Sequence, residues 1–219
     1  MILTILTPQF APNLYDLASM LKANRTIFTD VEKWSRKGRT HRAQIRNEED
    51  SQWINLPIVS EDRKKAIKDI RLDHSQHWLE PFWNAILHNY KNATYFDHFE
   101  DEIYHDIQQA KKFEYLLEFN LYFFGRMCTY LEIEIDYELA SQVDGYSTFP
   151  DETATNLNAK VFYLEHQSKN YQRQSKLAET VLEKHPIYQQ AYPGFVKGCS
   201  ILDLLLNEGV ESFRILEKL

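Results

Sequence analysis

The opening stretch constrains this chain more than any other. Ile2 to Leu6 is an apolar run with strand character, broken by Pro8 and Pro12. Leu14, Leu17, Ala18 and Leu21 then recur at helical spacing, and Thr26 to Thr29 reads as a second strand. Strand, helix and strand within about 30 residues form a βαβ unit, which pairs its strands in parallel through a right-handed crossover. The reactive end of such a unit lies where the first strand meets its helix, here Thr7 to Asn13. Asp30 closes the second strand on the same edge.

Beyond this unit, Thr40–Arg46 and Gln52–Val59 read as a hairpin turned by Asn47 to Ser51. Arg42, Gln44 and Arg46 share one face of it, and Ala43 and Ile45 the other. A short strand is expected at Ile67–Leu72. From Ser75 the period becomes helical: Trp78, Phe82, Ile86 and Tyr90 form a stripe broadened by Trp83 and Leu87. A long helix is expected from Ile107 to Leu131, with Cys128 near its apolar side, followed by a return to the sheet at Glu132–Ile135. Residues 140–165 read as a loop, 168–184 as a polar helix, and 199–207 and 210–218 as closing helices parted by Gly209. The fold class is therefore α/β: a single domain over residues 1–219, with a small mixed sheet opened by the βαβ unit and a helical C-terminal half.

Thirteen Phe, thirteen Tyr and four Trp supply a packed core in a chain of 219 residues, enough for one domain. A formal net charge of −7 argues against a nucleic-acid partner. No apolar run approaches the roughly 20 residues of a membrane span. The start Met1-Ile-Leu-Thr lacks the basic opening of a secretory signal. Two cysteines, Cys128 and Cys199, make neither a disulfide framework nor a four-ligand zinc site, so a reducing cytoplasm is expected.

Between Lys33 and Asn47 there is no acid, while Arg36, Lys37, Arg39, Arg42 and Arg46 crowd together. Arg forks match phosphates and carboxylates, so Arg36, Arg42 and His41 are candidates for an anion cradle; the alternative is a solvated hairpin. Ser200 and Asp203 stand at capping-box spacing, which accounts for both without chemistry; the alternative places Asp203 and Asn207 in a pocket with His185 and Tyr188. Asp97, His98, Asp101, Glu102 and His105 are better read as a solvated acidic face than as a metal site, and the pair His74 and His77 is weaker still. Cys199, near a helix start, has the position of a thiol with a lowered pKa.

Several blocks in order resemble the WbqC-like family: Thr7-Pro8-Gln9-Phe10-Ala11-Pro12-Asn13-Leu14-Tyr15; Asp30-Val31 with Trp34-Ser35-Arg36 and His41-Arg42; Trp53 to Pro57; Ile70 to Asp73 with Trp78 and Tyr90 to Phe96; and His185-Pro186-Ile187-Tyr188-Gln189 with Phe195 and Ser200 to Gly209. The resemblance implies an association with surface-polysaccharide assembly. It suggests transfer of an aminoacyl or acyl group to a sugar or sugar nucleotide, with no cofactor or metal. Asp30 and His185 would then handle protons, and Tyr188 and Asn207 would orient the acceptor. Gln9, Ser35, Arg36, His41, Arg42, Gln189, Asp203 and Asn207 would bind substrate. Leu6, Thr7 and Phe82 stand where many members carry His, Gln and His. That departure opens the alternative of a non-catalytic protein that binds an anion or a sugar. A small-molecule partner is expected, and a homo-oligomer is compatible with the sequence.

Overall fold

A computed structural model describes residues 1–166 and 175–219. The expected α/β fold and its opening βαβ unit are present. β1 (Ile2–Leu6) leads through α1 (Leu14–Lys22) to β2 (Arg25–Phe28), which lies parallel to β1 with Leu6 opposite Phe28. Helix α1 starts where it does because Asn13 caps it: the Asn13 side chain accepts from the Asp16 N–H at 3.0 Å. The hairpin, β3 (Arg42–Arg46) and β4 (Ser51–Asn55), forms an antiparallel sheet of its own instead of joining one mixed sheet.

The four-stranded parallel sheet runs β5 (Glu138–Leu139), β2, β1, β6 (Val161–Leu164). β6 lies within the stretch expected to be a loop, and it pairs with β1 in register from Ile2 opposite Val161 to Ile5 opposite Leu164. β1 is thus central and buried on both faces. Leu3 and Ile5 pack with Phe162, Ala140, Val143 and Ala154, the last from α5 (Pro150–Asn156). Leu6 faces the larger core with Leu14 and Leu17 of α1. Such two-sided burial is the rule for parallel sheets and explains the unbroken apolar reading of β1.

The remaining helices are α2 (Leu79–Tyr90), α3 (Phe96–Gln108), α4 (Leu116–Tyr130), α6 (Ile201–Glu208) and α7 (Phe213–Leu216). Several expectations are corrected here. The helix expected over 107–131 is interrupted: a 3-10 turn at Gln109–Lys112 ends α3 before α4 begins. The strand expected at 67–72 is a 3-10 turn at Ile67–Asp69 followed by isolated bridges. One exchange accounts for both. Leu72 N–H donates to the Glu114 carbonyl at 2.9 Å and Leu116 N–H to the Ile70 carbonyl at 2.8 Å, so the two segments satisfy each other and not a helix or a sheet.

The return to the sheet comes at β5, later than Glu132–Ile135, because Glu132 takes a left-handed φ of 55° that stops α4. Of the helix expected at 168–184, residues 168–174 lie outside the described residues. The rest is irregular, drawn along β6 by the Glu179 N–H bonded to the Phe162 carbonyl at 3.0 Å.

Gly209 caps α6 with φ 51° and ψ −127°, a backbone conformation that L side chains avoid, and a Cβ there would enter the Tyr95 ring. Gly209→Ala is expected to cost at least about 2 kcal/mol. An unchanged urea midpoint would show that the turn relaxes freely.

Candidate functional site

β1 and β6 end side by side, and the chain leaves β1 for β2 on the other flank. The crevice beyond the carboxyl ends of β1 and β6 is therefore the switch point of this sheet, the place where open α/β sheets bind ligands. Thr7 follows β1 and Glu165 follows β6. The Thr7 hydroxyl and N–H both donate to Glu165 Oε2, at 2.5 and 3.1 Å. Burial, and then the negative charge of Asp16, push the Glu165 carboxyl up to about 7; the Thr7 bonds and the Arg39 charge oppose that shift.

Asp16, in the first turn of α1, is buried and holds the crevice together. Its Oδ2 accepts from Gln9 Nε2 and Asn13 Nδ2, each at 3.0 Å, and its Oδ1 from the His166 N–H at 2.7 Å. Arg39 reaches the same point: its Nη1 lies 3.7 Å from Asp16 Oδ2 and donates to the His166 carbonyl at 2.5 Å. The His166 ring stacks on Tyr15 with centroids 3.8 Å apart, and Tyr15 meets His185 edge-on at 5.0 Å. Burial lowers the pKa of both imidazoles, with Lys197 adding to the effect, so they favour the neutral form. His185 Nδ1 lies 2.7 Å from the Pro186 carbonyl and its Nε2 accepts from the Gly198 N–H at 3.4 Å, an arrangement met by the Nδ1–H tautomer. Buried Gln9 Oε1 has no partner among the described residues. The crevice thus gathers a carboxyl able to trade a proton near neutrality, a guanidinium, two neutral imidazoles and an unsatisfied amide oxygen.

Of the residues singled out from sequence, Gln9 and His185 belong to this crevice. Tyr188, Asp203 and Asn207 lie together in a buried network. Tyr90 and Tyr188 donate their hydroxyls to Asp203 at 2.8 and 2.6 Å, Gln190 Nε2 donates at 2.8 Å, and Asn207 Nδ2 donates to the Asp203 carbonyl at 2.7 Å. Burial raises the pKa of Asp203 despite these bonds. The capping-box expectation is corrected: Ser200 stands at the N-cap of α6 but makes no side-chain cap bond, its own N–H goes to the Gln44 carbonyl at 2.7 Å, and the Asp203 carboxylate turns to the tyrosines. Gln189 is exposed, and it is Gln190 that enters the network. The lowered thiol expected of Cys199 is also corrected, since burial and the nearby Asp203 push it well up; burial alone takes Cys128 to about 12.

The basic block separates into different duties. Arg42 spends its guanidinium on the Gly38 and Lys37 carbonyls, at 2.9 and 2.5 Å, and lies 4.1 Å over Trp53. It shapes the loop that delivers Arg39. Arg46 is buried and donates to the carbonyls of Asn47, Asp50 and Pro193, instead of standing on an open face. Arg36 is exposed, and the Ser35 hydroxyl accepts from the Lys37 N–H within the loop. His41 is buried beside Trp34, with its pKa lowered to about 4 by burial and by Arg42. Asp30 is buried at the end of β2 and accepts from the Ser141 N–H at 2.9 Å, tying in the turn after β5.

The model of the WbqC-like protein family matches residues 7–215, from the turn after β1 into α7. The chain belongs to that family. This WbqC-like protein is 29% identical over 208 residues to the uncharacterized protein Rv1507c of Mycobacterium tuberculosis, a match covering 85% of this chain and 84% of that one. No solved structure matches it. Sequence reasoning on the WbqC-like chain missed Asp16, Arg39, Glu165 and His166. Asp16 alone carried a local signal, as the acid three residues past a capping Asn. No helix among the described residues is long and apolar enough to cross a membrane.

A glutamate whose folded pKa is raised contributes stability that is complete below the unfolded pKa and is lost as pH rises through the folded one. From pH 4.5 to above 7 the protein should therefore lose up to about 3 kcal/mol relative to Glu165→Gln. Chemical denaturation of both proteins across that range would measure it, and parallel pH profiles would contradict the placement of Glu165.

Proposed function

We propose that this WbqC-like protein transfers an aminoacyl or acyl group to a hydroxyl or amine of a sugar or sugar nucleotide in surface-polysaccharide assembly, with Glu165 as the general base. The observation that supports this reading is a buried carboxyl poised near neutrality at the switch point of the sheet. In the reaction Glu165 takes the proton from the acceptor O–H or N–H as that atom bonds to the acyl carbonyl carbon. The bond from that carbon to the leaving group then breaks, and the leaving group takes up the proton from Glu165.

Thr7 fixes the Glu165 carboxyl by two bonds, so its position is set before substrate arrives. Arg39 offers positive charge beside the crevice for a phosphate or carboxylate of the substrate. Gln9 Oε1 accepts a donor from the substrate, and the neutral imidazole of His185 lines the approach through Tyr15. The buried Asp203 network holds Tyr188 and Gln190 and supports the segment that carries His185.

A second reading, a non-catalytic protein that binds an anion or a sugar, draws on Leu6, Thr7 and Phe82 standing in place of family His, Gln and His. A thermal-shift screen against nucleotide sugars and acyl donors separates the two when followed by a transfer assay. A ligand present at 100 times its Kd should add about 2.7 kcal/mol of stability. For the transfer reading, Arg39→Ala should abolish that shift, and Glu165→Gln should bind normally while turnover falls about 10²- to 10⁴-fold. Binding without turnover in the parent protein would favour the second reading. Turnover untouched by Glu165→Gln would remove the base.

A further inference from the structure

A cleft of about 680 Å³ opens away from the sheet edge, between the segment leading into α2 and the C-terminal half of α3. Its size is that of a small-molecule site. One wall is aromatic. Trp78 and Trp83, each about nine-tenths buried, border it from the start of α2, and exposed Tyr104 stands edge-on to Trp83 with centroids 5.1 Å apart. Trp83 is backed in turn by Phe96, stacked at 6.1 Å. Trp83 thereby holds the exposed Tyr104 ring in place, and an aromatic face carries the partial negative charge that attracts the C–H groups of a pyranose.

The polar wall is oriented by single hydrogen bonds between exposed groups. Gln76 donates its amide N–H to Asp73 at 2.9 Å, leaving its carbonyl oxygen to accept. Gln108 Oε1 accepts from Lys111 Nζ at 2.8 Å, leaving its NH₂ to donate. His74 is anchored at 2.9 Å to the Phe113 carbonyl. Planar amides with one free acceptor and one free donor suit neighbouring hydroxyls, each of which both gives and takes a hydrogen bond. The residues lining the cleft include no arginine, and its one acid, Glu80, is balanced by Lys111. That balance contrasts with the strand-end crevice and disfavours an anionic occupant.

We infer that this cleft is a second binding site, for an uncharged saccharide, formed by Trp78, Trp83 and Tyr104 against Gln76 and Gln108. It stands apart from the reading of Glu165 and needs no chemistry to occur there.

The test uses the full chain and the indole N–H signals of its four tryptophans in an NMR titration with neutral mono- and trisaccharides of glucose, galactose, mannose and N-acetylglucosamine. The Trp78 and Trp83 signals should move while those of Trp34 and Trp53 stay. Tyr104→Ala and Gln108→Ala, both altered at the rim, should each weaken binding about tenfold with an unchanged thermal midpoint. Arg39→Ala should leave the titration intact. The inference is overturned if no saccharide moves the two indoles, if Tyr104→Ala binds undiminished, or if Arg39→Ala abolishes the effect, which would place the sugar at the strand ends.

Discussion

Asp16 is the tie on which the rest of the crevice depends. A carboxylate taken out of water is costly unless its oxygens are met by donors, and here three donors from two segments meet them while a third segment brings the charge of Arg39. Gln9 comes from the turn after β1, Asn13 from the cap of α1, the His166 N–H from the turn after β6, and Arg39 from the basic loop. None of these segments is regular structure at the point of contact. Without the common acceptor they would have little reason to converge. Burial first, and then this same charge, raises the pKa of Glu165, so a group that builds the crevice also adds to the tuning of the proton it can carry.

Two other buried acids give a useful contrast. Asp203 is met by two tyrosines and a glutamine, and Asp106 by Tyr122, Tyr130 and Arg126. Both are fully engaged and fasten helices to their neighbours. The strand-end crevice keeps capacity in reserve, in the Gln9 oxygen that has no partner among the described residues and in the proton of Glu165. Networks with every group paired favour rigidity, while those with groups left over favour ligands.

The parts of the fold legible in the sequence were those with local causes. β1, α1 and β2 declared themselves through apolar spacing, the two prolines and the capping Asn13, and the stripe from Trp78 to Tyr90 announced α2. β6 did not, because four residues look like any apolar patch, and its strand identity comes from β1, far away in sequence. Arg39 could not be told from Arg36 or Arg42 by spacing, since the path of the loop decides which of them points inward. Glu165 was one acid among many until parallel pairing buried it beside Thr7. The gap between α3 and α4 came from bonds to Ile70 and Leu72 that no helical periodicity encodes.

The central place of β1 also bears on how the protein is made. Its first partner, β2, leaves the ribosome almost at once, but its second, β6, is the last strand of the sheet to emerge. At about 5–20 residues per second, translation leaves one edge of β1 without its partner for roughly 10–30 s. An apolar edge open for that long is a site for mispairing with other chains. Synthesis speed across the middle of the chain, and any chaperone that shields the first strand, should therefore influence how much folded protein is obtained.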